Sequence, residues 1–289
     1  MRRAVLTLLM CACTPSGSGD EATADAAPDG AAVTPDASPG TDGPPSDEAP
    51  PDGMPLDAAA DAAPADAAPP DAGPPPTVGD TPRFAFPVAP TDRRWIHPGL
   101  FFGVDHDPAA GDPIVCTDYD GRHFPFCYDE HHGSDFPLDG GFTRMDAGSA
   151  VVIAAAGGTV VRADDGNYDR CHGNTQDFAV SCDGNPMVPN RVDIAHANGW
   201  QSRYYHLMQG SVSVRVGDVV GCGTPIGLVG SSGRSFAPHL HFEVRDPGGA
   251  VADPFAGRVN GPISMWTEQR ADDGLPGPAC DSRWGPARP

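Results

Sequence analysis

The sequence predicts an all-β fold: a glycine-punctuated antiparallel sheet of the barrel-sandwich kind, with loop insertions and a disordered N-terminal tail. Short runs rich in β-branched residues follow one another from Ala150 onwards. Glycine and other turn-forming residues interrupt these runs about every 8–12 positions, which is the spacing of a sandwich or barrel. No stretch shows the sustained apolar repeat of an amphipathic helix of about ten or more residues.

The N-terminal tail spans residues 14–80 and consists almost entirely of Ala, Pro, Asp, Gly, Ser and Thr. It carries 14 acidic residues and no basic one, and so supplies most of the formal net charge of −21. Such a composition buries too little apolar surface to offset the entropy of ordering, so we expect disorder. An acidic chain also argues against nucleic acid and anionic membrane surfaces as partners.

The first 13 residues are expected to direct export. Met1-Arg2-Arg3 precedes an apolar run over residues 4–12 that is too short to span a bilayer. The run ends in Ala12-Cys13, which resembles a bacterial lipoprotein signal with lipidation at Cys13. Lipidation at Cys11, or simple cleavage and secretion, remain alternatives. With a lipid on Cys13, residues 14–80 become a tether in the cell envelope or periplasm, and the lipid is the only membrane contact.

Six cysteines follow the tail, at positions 116, 127, 171, 182, 222 and 280. An even number in an exported chain indicates three disulfides, although six cysteines allow 15 pairings. Short loops favour Cys116–Cys127 and Cys171–Cys182. Cys222–Cys280 would then attach the C-terminal tail to the folded core.

The folded part divides into three predicted segments: a loop-rich extension (81–130), a core (131–256) and a C-terminal tail (257–289). Within the core, strands are predicted over residues 150–155, 158–163, 191–196, 201–207, 211–214, 224–229 and 239–244. A cystine-bearing insertion over residues 164–189 interrupts these strands, and residues 136–148 form a link that precedes the first of them.

Three short motifs in the core carry candidate chemistry. In the last predicted strand, His239, His241 and Glu243 share one face, because alternate side chains of a strand point the same way. The run HHGSD at 131–135 places an imidazole and a carboxylate where they can converge on one cation. Tyr204 and His206 are expected to share a face of another strand. Paired imidazoles on a strand provide a metal-binding or catalytic platform.

Taken in order, these motifs resemble the lysostaphin-type (LytM-like) zinc metalloendopeptidases of bacterial cell walls. The resemblance rests on HxGxD at 131–135, YxHL at 204–207 and the glycine-rich turn at 216–221. It continues through GSSGR at 230–234 into PHLHFE at 238–243, and so covers residues 131–253.

The resemblance implies a role for each motif residue. His131, Asp135 and His241 would be the protein ligands of one zinc ion per chain, with water at the open fourth position. His206 and His239 would lie beside that water, one as general base and both stabilising the developing oxyanion. Which of the two is the base stays open. Tyr204 would be a hydrogen-bond donor at the rim, and the substrate a peptide cross-link of peptidoglycan.

The same motifs allow other interpretations. A catalytically silent wall-binding member that activates another hydrolase would be expected to lack a ligand, whereas all five positions are filled. A lipoyl or biotin carrier needs a lysine, and the chain has none. Other extracellular peptides remain possible substrates, and a monomer is expected. The remaining histidines, at positions 97, 106, 123, 132, 172 and 196, are assigned no ligand role.

Overall fold

The computed structural model describes residues 81–98, 102–109, 111–112, 114–174, 178–281 and 283. The predicted export signal and tether lie outside these residues. Within them the fold is nearly all β, as predicted, with one short α-helix, α1 (Gly141–Asp146), inside the link over residues 136–148. None of the described helices is long and apolar enough to cross a membrane. The strands are β1 (Ser134–Pro137), β2 (Val151–Ile153), β3 (Gly158–Asp164), β4 (His172–Gly173), β5 (Val180–Ser181), β6 (Arg191–Ala195), β7 (Gln201–Tyr205), β8 (Val219–Val220), β9 (Pro225–Leu228), β10 (His239–Arg245) and β11 (Val251–Ala252).

The main sheet is antiparallel and runs in the order β1-β10-β7-β6-β3-β8, while β11 pairs with the end of β10. Two further pairs, β2-β9 and β4-β5, form small separate sheets. The register places Asp135 opposite His241 and His241 opposite Tyr205. Neighbouring strands at one end of the sheet therefore carry the predicted site.

One face of β10 is buried in the hydrophobic core. Leu240, Phe242 and Val244 are completely enclosed, as the predicted alternation requires. Segments outside the predicted core complete this packing: the ring of Phe84 lies 5.5 Å from that of Phe242, and the ring of Trp266 lies 5.4 Å from it. The backbones of Phe84 and Trp266 also pair in a β-bridge. The opposite face of β10 is left for polar side chains.

The three predicted disulfides are present. Cys116–Cys127 closes a loop of the extension, Cys171–Cys182 closes the β4-β5 hairpin of the insertion, and Cys222–Cys280 attaches the tail. The insertion therefore contains a two-stranded pair that a disulfide cross-links.

The strand predicted over residues 211–214 is wrong. The backbone N–H of Leu228 donates to the side-chain Oγ of Ser211 at 3.1 Å, where a ladder would offer it a carbonyl. Local side-chain bonds of this kind compete with regular strand pairing. Ser213 N still donates to Ile226 O of β9 at 3.1 Å, which is a backbone bond of the kind that pairing with β9 would make.

Candidate metal centre

The three predicted ligands converge at the β1-β10 edge of the sheet. His131 Nε2 lies 3.1 Å from Asp135 Oδ1 and 3.1 Å from His241 Nδ1, and the latter two atoms are 2.8 Å apart. The pairing of Asp135 with His241 across β1 and β10 fixes two of the three, and the turn before β1 supplies His131. One ligand atom from each side chain therefore faces a common point.

Backbone and carboxylate partners determine which nitrogen of each ligand faces that point. His131 Nδ1 lies 2.8 Å from Gly103 O. Because a carbonyl only accepts, Nδ1 carries the proton and Nε2 is left with a lone pair. On His241 the arrangement is reversed: Nδ1 faces the cluster, and Nε2 lies 3.7 Å from Glu243 Oε2. Such outer partners orient metal-bound imidazoles.

Asp135 is held by Tyr128, a residue that the sequence analysis did not single out. The Tyr128 hydroxyl donates to Asp135 Oδ2 at 3.3 Å, and its ring stacks on His131 at 4.1 Å between centroids. This leaves Oδ1 for the cluster. Tyr128 lies in a segment without periodicity, so only its closeness to the HxGxD motif hinted at a role.

Hydrogen bonds and opposite charges within the cluster favour the ionised forms of its carboxyl groups. Burial alone would raise the pKa of the Asp135 carboxyl, but His131 and His239 hold it well below its usual range. Burial favours the neutral His241 ring, yet hydrogen bonding to Asp135 and Glu243 raises its pKa to about 9. Despite burial, His241 and Arg245 lower the pKa of Glu243 to about 2. Both carboxylates are thus ionised and suited to a cation.

Gly133 leaves the space that the cluster needs. A Cβ atom at this position would lie 2.6 Å from His241 Nε2 and 2.7 Å from the carbonyl oxygen of Phe242. Real Cβ atoms essentially never approach so closely, so a side chain here would displace the ligand. This contact explains the glycine of the HxGxD motif.

The donor set fits a catalytic zinc ion. Two imidazole nitrogens and one carboxylate oxygen are the ligand types that zinc takes, and three protein ligands leave one position open. Asp135, whose carboxyl pKa lies well below its usual range, is ionised as a zinc ligand must be.

His206 and His239 lie side by side next to the three ligands, with ring centroids 4.6 Å apart. Each directs its Nδ1 to a backbone carbonyl at 2.7 Å, Ser232 O for His206 and Ala237 O for His239. Both Nε2 atoms are therefore acceptors, and that of His239 lies 3.5 Å from Asp135 Oδ1. Burial, followed by the charges of His239 and His241, lowers the pKa of His206 well below its ordinary value.

Tyr204 does not lie at the rim, and that predicted position is wrong. The side chain is completely buried, and its hydroxyl accepts from Ala155 N at 2.8 Å and lies 3.0 Å from Ser202 Oγ. The predicted alternation of side chains, which put Tyr204 and His206 on one face, fails at the end of β7. His206 has a φ of +62°, and the strand therefore ends at Tyr205. Tyr205 takes the place beside the site, with its ring centroid 5.4 Å from that of His241.

Two of the remaining histidines have partners elsewhere. His196 is buried and bonded through Nδ1 to Gly157 O and through Nε2 to Ser202 Oγ. His106 contacts Asp253 at 2.9 Å. His132, next to a ligand, is exposed and points away from the cluster.

Comparisons with known proteins agree with this geometry. Residues 130–254 match the model of peptidase family M23. The chain is 29% identical over 166 residues to the peptidoglycan DD-endopeptidase ShyA of Vibrio cholerae, covering 57% of this chain and 28% of ShyA. It is 50% identical over 65 residues to the DD-carboxypeptidase/endopeptidase Mpg of Neisseria meningitidis, covering 22% of this chain and 14% of Mpg. The chain thus spans less than a third of either relative.

Among solved structures, the catalytic domain of lysostaphin from Staphylococcus simulans is 27% identical, covering 44% of this chain and 77% of that domain. The TM-score is 0.30, too low for a detailed comparison of the two folds. The family match covers the five predicted site residues from His131 to His241, whereas Tyr128 and Gly103 lie outside it. The chain thus matches the model of peptidase family M23 over residues 130–254, in agreement with the resemblance of the motifs.

Proposed function

We propose that this domain is a zinc-dependent endopeptidase that hydrolyses peptide cross-links of bacterial peptidoglycan. The observation that carries the proposal is the convergence of His131 Nε2, Asp135 Oδ1 and His241 Nδ1, at 2.8–3.1 Å from one another, beside two further histidines. The similarity to ShyA, a peptidoglycan DD-endopeptidase, and to Mpg, a DD-carboxypeptidase/endopeptidase, supports the substrate class.

His131, Asp135 and His241 would hold the zinc ion, which when bound supplies the Lewis acidity that makes water nucleophilic near neutral pH. His206 and His239 present Nε2 lone pairs to the same space. One of them accepts a proton from the attacking water at Nε2, and the single N–H group that results can then donate to the charge developing on the scissile carbonyl oxygen. The bonds from both Nδ1 atoms to backbone carbonyls keep the rings in this orientation.

We also propose that the chain works outside the cytoplasm, as a monomer on a lipid anchor at Cys13. The three disulfides support an oxidising compartment. Residues 14–80 would then be the tether that separates the domain from the membrane.

Metal analysis combined with a cleavage assay tests the proposal. We expect about one zinc per chain in the purified protein and hydrolysis of a soluble cross-linked peptide dimer. Chelation should abolish hydrolysis and added zinc should restore it. A protein that binds zinc but cleaves no cross-link would instead be a silent binding member, and a protein without zinc would contradict the metal assignment.

A further inference from the structure

Arg234 lies at the tip of a turn at the edge of the site. Ser235 N donates to Gly233 O at 2.8 Å, so the turn closes tightly around Arg234. Gly233 has φ of +73°, and a Cβ there would lie 2.8 Å from Pro189 N. On the other side, the buried Ser235 Oγ lies 3.2 Å from His239 Nδ1. The backbone of Arg234 is thus fixed between two packed residues, one of which contacts a site histidine.

The guanidinium of Arg234 has no partner among the residues that the structure describes. Its side chain is exposed and makes no ion pair or hydrogen bond there. By contrast, Arg191 pairs with Asp193, and both Arg203 and Arg245 pair with Glu243, on the polar face of the sheet. An arginine left unpaired beside a site, in a chain of net charge −21, has a charge available for a ligand.

The turn that carries Arg234 contacts both histidines that lie beside the three ligands. His206 Nδ1 donates to Ser232 O at 2.7 Å, and Ser235 Oγ lies 3.2 Å from His239 Nδ1. Arg234 therefore lies between the two residues that hold these rings.

The two disulfide-closed loops meet at this same corner. Cys182, in the insertion, lies 3.4 Å from Gly233 O, and Cys127, in the extension, adjoins Tyr128. The rings of Phe124 and Phe178 join the two loops in an edge-to-face contact at 6.4 Å. A peptide lying over the metal centre would therefore meet a bounded corner that contains one unpaired cation.

We propose that Arg234 is a specificity-determining residue that binds a free carboxylate of the substrate peptide. A guanidinium matches a carboxylate with two parallel hydrogen bonds, which an ammonium cannot reproduce. The proposal rests on the proposed peptidase function, and it restricts the substrate to peptides with a carboxylate close to the bond that is cut.

A pair of synthetic pentapeptides ending in D-Ala-D-Ala, one with a free C-terminal acid and one with an amide, tests the proposal. Binding to the full chain is measured by calorimetry. The wild type should bind the acid about ten-fold or more tightly than the amide, as for a charge-assisted pair. Arg234→Gln should bring this ratio near one, and Arg234→Lys should give an intermediate ratio.

Arg215→Gln is the matched control. Arg215 is also exposed and its side chain makes no ion pair with a described residue, but it lies in the turn before β8, at the other end of the main sheet. This variant should keep the wild-type ratio. Equal binding of acid and amide by the wild type, an unchanged ratio in Arg234→Gln, or no binding of either peptide would overturn the proposal. Calorimetry measures peptide affinity and does not require cleavage. Loss of the proposed peptidase activity is therefore measured separately, as the rate of turnover.

Discussion

At the scale of single residues, backbone carbonyls divide the histidines of the site by role. Gly103, Ser232 and Ala237 each accept a bond from the Nδ1 of one ring, so that His131, His206 and His239 all present Nε2 inward. The sequence showed which histidines were candidates from their motifs. It did not show the carbonyl partners of His131 and His206, because Gly103 and Ser232 lie 28 and 26 residues away from these histidines in the chain.

This division predicts different consequences for different histidine substitutions. His206→Ala should keep about one zinc per chain and lose at least about 100-fold in turnover, because only a proton-transfer group is removed. His241→Ala should lose both zinc and activity. Metal content and cleavage of a cross-linked dimer are measured on the same samples. Loss of zinc from His206→Ala would show that His206 is a ligand.

Gly133→Ala should weaken zinc binding by at least about 10-fold, the range seen when the support of a metal ligand is disturbed. The new Cβ would lie 2.6 Å from His241 Nε2 and push the ring away. Competition with a zinc chelator measures the affinity. Gly103→Ala is the control, since a Cβ there meets only ordinary contacts at 3.7 Å or more. Equal affinity in both variants would contradict the steric explanation.

At the scale of elements, alternation predicted β10 correctly but failed at the end of β7. Leu240 and Phe242 face the core and His239 and His241 face the site, as a regular strand requires. In β7 the same rule placed Tyr204 beside His206. The left-handed backbone of His206 reverses that assignment and brings Tyr205 to the site instead. A positive φ at a histidine leaves no trace in apolar periodicity, which is why the sequence missed it.

Tyr204 instead belongs to a buried chain of hydrogen bonds that makes stability depend on pH. The chain runs from Ala155 N through Tyr204 and Ser202 to His196. Burial lowers the pKa of His196 to about 4, against about 6.5 in an unfolded chain. The unfolded state therefore takes up the proton first. Stability from this group is complete above about pH 6.5 and falls by about 3 kcal/mol as the pH drops toward 4.

Urea unfolding at pH 7, 6 and 5 measures this dependence. His196→Gln should reduce the slope of unfolding free energy against pH relative to the wild type, whatever its overall stability. His97→Gln, at an exposed histidine, should leave the slope unchanged. If His196→Gln retains the full wild-type slope, His196 is not the source.

At the scale of the whole molecule, the folded domain extends beyond residues 130–254, which match the family model. Phe84 and Trp266 lie outside residues 130–254, yet both are fully buried against Phe242 of β10. The sequence indicated the motifs and the three disulfide pairs, two of which close short loops. It did not indicate which apolar residues of the extension and the tail enter the core of the domain, because these residues show no periodicity.

The disulfides should contribute to stability according to the chain they enclose. Removing Cys222–Cys280, with a separation of 58 residues, should cost about 4 kcal/mol. Removing Cys116–Cys127, with a separation of 11, should cost about 3 kcal/mol. Double Cys→Ser variants compared by urea unfolding provide the test. A smaller loss for the 222–280 pair would mean that burial of Trp266, and not the cross-link, retains the tail.

The central claim is that this domain cuts peptide cross-links with a zinc ion held by His131, Asp135 and His241. Mass spectrometry of fragments released from purified peptidoglycan sacculi tests it most directly. The zinc-loaded wild type should release fragments with newly freed amino and carboxyl groups at the cross-link and with intact glycan bonds, whereas chelated protein and His206→Ala should release none. Glycan cleavage products, or no fragments from a wild type that carries one zinc per chain, would contradict the claim.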